Sequence, residues 1–247
     1  MQVSRTRGPI FLLAAVVTPV AYAVVFLLMA RNIGRADALA AYVVIAPALI
    51  GVWYTAITTG AAVVGDERGS GTLELLVAAP APAALVILGR VTANTVLSLV
   101  SIPLVLVTAR LLGVNLEVAE PATALLAVVA LGVCTVGVTL LFTTALVFAR
   151  SAIVIQNLIP FPLYILSGIA FPLALLPEWV RPLSALIPLT YIADVLRSST
   201  LRGVDSSLSS NLGALAALTL VYGLMGYWLF SRAERSIRTS GKVTLTQ

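Results

Sequence analysis

Histidine is absent from this 247-residue chain, and Cys134 is its only cysteine. These absences exclude imidazole general-base chemistry, Cys/His zinc sites and intrachain disulfides. Cys134 lies inside an apolar run, LGVCTVGVTLLF, where a small buried residue is expected. Charge is scarce too: Asp, Glu, Lys and Arg make up 10% of the residues, and Lys242 is the only lysine. The preference for arginine suggests a GC-rich coding sequence, as in many bacteria, but no mechanism. A pI near 9.8 invites a nucleic-acid reading. The arginines, however, are scattered around the ends of apolar runs rather than clustered, so no nucleic-acid partner is expected. No GxxxxGK[ST] phosphate-binding sequence occurs anywhere in the chain.

What remains is apolar. Hydrophobic residues are 60% of the chain and the mean hydropathy is +1.07, far more than one soluble core of this size requires. Several runs reach the ~18–20 uncharged residues that cross a bilayer. The expected fold class is therefore an all-α polytopic membrane protein, a single transmembrane domain over 1–247. Six spans are expected, at about 10–29, 39–64, 91–112, 122–149, 153–171 and 211–230. The first competes with a signal peptide, but its apolar run continues past Ala21-Tyr22-Ala23 to Met29 and exceeds a signal core of ~7–15 residues. Pro47 and Pro103 are expected to bend the spans that hold them.

Polar residues inside the spans are few. Trp53 and Tyr54 lie mid-span rather than at an interface, beside Thr55, Thr58 and Thr59 at i, i+3, i+4. Asn94 lies in the third span, a threonine face (Thr135, Thr139, Thr143) in the fourth, and Asn157 and Tyr164 in the fifth. Two roles fit these residues. Small hydroxyl residues line helix–helix contacts in membranes, and the same groups could line a path for a substrate. The candidate path residues are Trp53, Tyr54, Thr58, Asn94, Asn157 and Tyr164.

Two stretches between spans break the apolar pattern. Residues 65–90, GDERGSGTLELLVAAPAPAALVILGR, combine glycines, prolines and charges. Gly65, Gly69 and Gly71 should end the second span, since glycine costs roughly 1 kcal/mol in a helix interior. Thr72 can cap a short helix, TLELLVAA, with Glu74 in its first turn where the dipole favours an anion. Pro80 and Pro82 then stop it. The second stretch, 172–201, is cut by Pro172, Pro177, Pro182 and Pro188 into pieces too short to span, with Trp179 and Tyr191 suited to a headgroup interface. A pair of short helices dipping from one surface is expected, the second over 189–201.

The basic residues orient the chain. With both termini inside, the inner side holds Arg5, Arg7, Arg68, Arg90, Arg150, Arg232, Arg235, Arg238 and Lys242, and the outer side holds the other six arginines, matched by as many acids. Residues 65–90 are then cytoplasmic and 172–201 extracellular. The cytoplasmic loop carries Asp66, Glu67 and Glu74 against Arg68 before Arg90 closes it. Anionic lipid would select the opposite sign. From composition alone it is either a solvated linker or a contact surface for another protein.

The run ERGSGTLELLVAAP resembles the signature of the permease subunits of type-2 ATP-binding-cassette (ABC) exporters, on Glu67, Gly71, Thr72, Leu73, Glu74 and Pro80. The run SGIAFPLALLPEWVRPLSALIPLTYIADVLR is similar to that family's extracellular re-entrant hairpin and the signature after it. There the match falls on Gly168, Phe171, Pro172, Pro177, Pro188, Tyr191, Asp194 and Arg197. The order of the elements fits as well, over nearly the whole chain. The departure is at the N-terminus, where nine residues before the first span leave no room for a long amphipathic elbow helix.

The resemblance implies that the cytoplasmic helix is a coupling helix. Glu67, Arg68, Gly71, Thr72, Leu73, Glu74, Leu75 and Leu76 would contact a separate ABC ATPase subunit. It also implies that Phe171, Pro172, Pro177, Trp179, Pro188, Tyr191, Asp194 and Arg197 build the hairpin. The chain would be a transport subunit in the cell membrane, not itself an enzyme, binding no cofactor. ATP and Mg would sit on the ATPase, and a second permease copy or paralogue would complete the assembly. An uncharged path lined by Trp, Tyr, Thr and Asn suits a small amphiphilic or hydrophobic substrate such as a drug or antibiotic. Alternatives are export of a lipid or lipid-linked glycan, or an ion-coupled secondary transporter. The last usually needs intramembrane Asp, Glu, His or Lys, which these spans lack.

Overall fold

A computed structural model describes residues 3–32, 40–69, 83–114, 116, 118–148, 158, 160–170, 172–200 and 208–240. Helices account for its regular structure, and no strand occurs among the described residues. The long helices are α1 (Val3–Asn32), α2 (Ala40–Gly69), α3 (Ala83–Ser98), α4 (Ser101–Leu111), α5 (Pro121–Phe148) and α9 (Leu208–Ser240). Between α5 and α9 come α6 (Pro160–Leu166), a 3₁₀ turn (Leu173–Leu175), α7 (Arg181–Ser184) and α8 (Pro188–Thr200). Among the described residues four stretches are long and apolar enough to cross a membrane: Ala41–Gly60, Leu85–Leu111, Pro121–Thr144 and Leu208–Arg232. A shorter apolar stretch, Val16–Asn32, belongs to α1.

Several boundaries differ from expectation, and four of them have a local reason. α2 does not end at Gly65 but runs to Gly69. The roughly 1 kcal/mol that a glycine costs is not enough to stop a helix already propagating through thirty residues. The third span is two helices, α3 and α4, separated at Leu99–Val100. Pro103 explains the break. It lacks an N–H and crowds the carbonyl four residues earlier, which belongs to Leu99. The Leu99 carbonyl instead accepts from Ile102 N at 3.0 Å, and Val100 N donates to Leu97 at 3.2 Å, so the chain tightens to i→i−3 bonding there.

The described helix near the fifth span ends at Leu166 rather than 171, because Gly168 adopts φ +66 and turns the chain. α9 reaches Ser240, so Arg232, Arg235 and Arg238 continue the last helix instead of forming a separate tail. The pieces of the 172–201 stretch follow its prolines: Pro172 precedes the 3₁₀ turn, Pro182 lies at the start of α7, and Pro188 opens α8.

α2 is the hub. It packs on α1, α3, α4, α5 and α8, while α5 also packs on α3, α8 and α9. The main core gathers Leu49, Trp53 and Ile57 of α2, Leu131, Cys134 and Val138 of α5, Tyr164 of α6, Leu189 and Ile192 of α8, and Leu215 of α9. Small residues bring the backbones close. A Cβ on Gly60 would collide with Thr139 of α5, and one on Gly51 would lie 2.7 Å from Pro19 Cβ and 3.0 Å from Ser101 Cβ. One end of the bundle is tied by Arg31, which donates to the Leu112 carbonyl where α4 stops. α4 itself ends in a Schellman turn: Gly113 takes φ +82, its N–H bonds Arg110, and Val114 N–H bonds Ala109 at 2.9 Å.

Candidate functional site

The best-defined polar constellation is built around Arg197. α6 ends where Ser167 N–H bonds Leu163 and Gly168 enters the left-handed region, which turns two successive carbonyls, those of Gly168 and Ile169, toward α8. Arg197, one residue-turn beyond Asp194 on α8, donates to both carbonyls from one terminal nitrogen, at 2.9 and 2.8 Å. Its other terminal nitrogen lies 3.3 Å from Asp194 Oδ1. The guanidinium also stacks 4.0 Å from the ring centre of Tyr42, near the start of α2. One side chain thus joins α2, α6 and α8. Burial pushes the Arg197 guanidinium down from its ordinary value, opposed by Tyr42 and Asp194. Burial pushes the Asp194 carboxyl up, with Arg197 pulling it back.

Further side-chain-to-backbone bonds fasten the same end. Ser184 donates to the Leu166 carbonyl at 2.5 Å, Thr190 to Ser184 at 2.9 Å and Tyr191 to Ala185 at 3.1 Å. Tyr222 of α9 reaches the Leu186 carbonyl at 2.8 Å. Arg181 bonds back to Leu176 and Ala174, and Glu120 N–H, just before α5, bonds the Ser199 carbonyl at 3.0 Å. The broken segment is held by these hydrogen bonds together with the apolar packing of Ile169, Ile187, Leu189 and Ile192 in the main core. Of the hairpin residues expected from sequence, Pro188, Tyr191, Asp194 and Arg197 take part in this framework. Pro172, Pro177 and Trp179 are exposed on its surface, and Phe171 lies outside the described residues.

The candidate path residues divide. Trp53 and Tyr164 come together in the main core, and both are buried, with the indole N–H and the phenol O–H unpartnered among the described residues. Tyr22 packs against that core, and both Tyr22 and Tyr54 lie within electrostatic reach of Tyr164. Thr58 turns its hydroxyl to its own helix, at 2.7 Å from the Tyr54 carbonyl. Asn94 is half-buried on α3, away from this cluster, and Asn157 lies outside the described residues. The threonine stripes of α2 and α5 face other helices: Thr55, Thr59, Thr135, Thr139 and Thr143 are all buried. Packing is the role the geometry gives them.

The coupling residues lie at the edge of what is described. Glu67 and Arg68 fall in the last turn of α2, while Gly71, Thr72, Leu73, Glu74, Leu75 and Leu76 lie outside the described residues. The structure also contains contacts that no spacing announced. Tyr42 beneath Arg197 is one. The other is the seam where Gly137 of α5 meets Gly223 and Gly226 of α9. The repeated glycines in the last span were the available signal for the seam, and Tyr42 left none.

A continuous bundle with a hydrogen-bonded, proline-broken segment before its last helix limits the families that fit. The sequence profile of the ABC-2 type transporter family matches residues 2–201. The chain belongs to that family. The match runs from α1 through the end of α8, so it takes in the 65–90 loop and the Arg197 framework together. A search among curated proteins gave no significant match. As an ABC-2 membrane domain the chain is a multi-pass transport component, and the family implies a partner subunit that binds ATP.

Proposed function

We propose that this ABC-2 permease exports a hydrophobic or amphiphilic molecule of drug or antibiotic type from the cell, driven by the ATP-binding partner. The observation that carries the reading is the chemistry of the interior. Among the described residues every buried polar residue is a serine or threonine, joined only by partly buried groups and the ring atoms of Trp53 and Tyr164. A site for a bare ion needs charged or multiple converging oxygen ligands. A proton- or sodium-coupled carrier normally keeps an ionisable residue at mid-membrane. Serine and threonine hydroxyls, those of Thr135 and Thr139 unpartnered among the described residues, beside one indole N–H and one phenol, suit a mostly apolar guest with a few polar atoms.

In this reading both termini are cytoplasmic, and residues 65–90 carry the contact with the ATP-binding subunit through Glu67, Glu74 and the Leu73–Leu76 turn. The α6–α8 framework then forms the outward cap. A second permease, the same chain or a paralogue, completes the path. Closure of the ATP-binding subunits moves the spans as rigid bodies, and the cap moves with α2 and α6 because Arg197 ties it to both.

The test is transport by the permease co-expressed with its ATP-binding subunit, in inside-out vesicles. A fluorescent hydrophobic dye should accumulate on ATP addition and should not on addition of a non-hydrolysable analogue. Dye exclusion together with ATP-driven flipping of a lipid-linked glycan would replace the drug reading with the glycan one. Ion-gradient-driven uptake without ATP would overturn both.

A further inference from the structure

We infer that the bundle holds a binding site for one acyl chain of a bilayer phospholipid, in a cavity separate from the Trp53–Tyr164 core. A cavity of about 370 Å³ opens between α2, α4, α5 and α8. Its floor includes Val44, Ile45 and Leu49 of α2, of which Leu49 has no exposed surface. Leu196 of α8 forms one side and Leu106 of α4 another.

Among the described residues the wall offers a ligand no free donor. Its hydroxyls are those of Ser199 and Thr200, and each is spent inside α8, on the Leu196 carbonyl at 2.7 Å and the Arg197 carbonyl at 2.8 Å. The Ser199 carbonyl is taken by Glu120 N–H. The described wall therefore suits hydrocarbon along the part that enters, since an acceptor buried here would go unpaired.

The mouth indicates where that hydrocarbon comes from. Leu125, which lines the cavity, is 65% exposed and stands on α5 in line with exposed Val129 and Val133, one side of a stretch apolar enough to cross a membrane. The opening therefore faces lipid. An apolar cavity of this size left empty forfeits the dispersion contacts of its lining. The neighbouring chains of the bilayer are the hydrocarbon present at the highest concentration. The occupied chain would wedge α8 against α2 and α5, one turn from Arg197. The inference is independent of what the protein transports.

The experiment uses the full permease with its ATP-binding subunit in nanodiscs of phosphatidylcholine carrying a diazirine in mid-chain, with labelled residues mapped by mass spectrometry. Carbene insertion is expected at Ile45 and Leu49, which are buried from bulk lipid, and at the half-buried Leu196. Insertion is also expected at Leu220 and Leu224 on the exposed side of α9 as the bulk-lipid reference. Ala124→Phe, at the cavity wall, should exclude about two chain methylenes and lower labelling of the floor about tenfold. Labelling of α9 should be unchanged, and Ala48→Phe from the opposite wall should do the same. Labelling confined to α9 and other lipid-facing positions in the unmodified protein would overturn the site. Labelling of the floor by free diazirine fatty acid but not by the phospholipid would overturn the phospholipid assignment in favour of a single-chain amphiphile.

Discussion

α2 and α9 are nearly equal in mean hydropathy over their spanning stretches, 1.7 and 1.6, yet 78% of the one and 11% of the other is buried inside the protein. Apolarity places both in the membrane and says nothing about which one becomes the centre. In lipid an apolar surface gains little by leaving hydrocarbon for protein, so association depends on close packing and on polar groups that find partners. α2 has both. Gly51 and Gly60 make room for Pro19 of α1, Ser101 of α4 and Thr139 of α5, and Tyr42 receives the Arg197 guanidinium. α9 has one such seam, with a Cβ on Gly226 placed 3.0 Å from Leu141 N and 3.2 Å from the Gly137 carbonyl. The rest of its surface, Leu220, Val221, Leu224 and Trp228 among it, is exposed.

The contrast can be broken in order of expected size. Gly60→Leu should have the largest effect. Its side chain would have to displace Thr139 in the middle of the α2–α5 contact, and overpacking of this kind costs about 1–3 kcal/mol or more. Folded yield and resistance to unfolding in mixed micelles should collapse. A variant that unfolds like the parent would mean that α2 and α5 do not meet at Gly60.

Arg197→Ala comes next. It leaves the Gly168 and Ile169 carbonyls without their donor, at a cost of about 1–3 kcal/mol for unsatisfied groups. Arg197→Lys keeps the charge but loses the planar fork, and should recover less than half of the loss. The readout is protease nicking of the segment around Gly168 and Ile169 in the assembled protein. Full protection in Arg197→Lys would show that charge alone holds the cap.

Gly226→Ala tests the α9 seam. The atoms met are backbone, which cannot turn aside, so a loss of about 1 kcal/mol is expected, by the same unfolding measurement. The smallest effect belongs to the lipid-facing side of α9, where Leu220→Ala should change stability by about 0.5 kcal/mol or less. A Leu220→Ala loss as large as that of Leu49→Ala would sharpen the comparison differently, by showing that a second subunit covers this face.

Much of this architecture was legible in the sequence because membrane helices announce themselves by length and composition. The spans at 39–64 and 122–149 correspond to α2 and α5, and the prolines of 172–201 cut the chain where the structure does. What was not legible depended on competition between small terms. Gly65 reads as a breaker, but a continuing helix outweighs it. Pro103 reads as a bend in place, whereas the break falls at Leu99–Val100, where the lost bond and the crowded carbonyl are. The hairpin signature includes Gly168, Asp194 and Arg197, but neither Ile169 nor Tyr42, since a cation over a distant ring leaves no spacing to read. Polarity and mid-span position mark the path residues in the sequence, and among those described only Trp53 and Tyr164 meet in one core.

Residues 65–90 are proposed to couple this permease to a separate ATP-binding subunit. The direct measurement is co-purification of that subunit, with its ATPase activity, from membranes containing both chains. Glu74→Gln and the Leu75→Ala, Leu76→Ala pair are compared with a control substitution at Thr244. With both termini cytoplasmic, as proposed, the loop is acidic on a face where lipid would select basic residues, so Glu74 is expected to meet a basic group across the contact. Losing one partner of such a pair costs on the order of 2–5 kcal/mol, enough to abolish co-purification, while the control should retain it. Loop variants that assemble and stimulate ATP hydrolysis as the control does would make 65–90 a linker. Mutation-sensitive ATP hydrolysis by the isolated permease would contradict the account altogether.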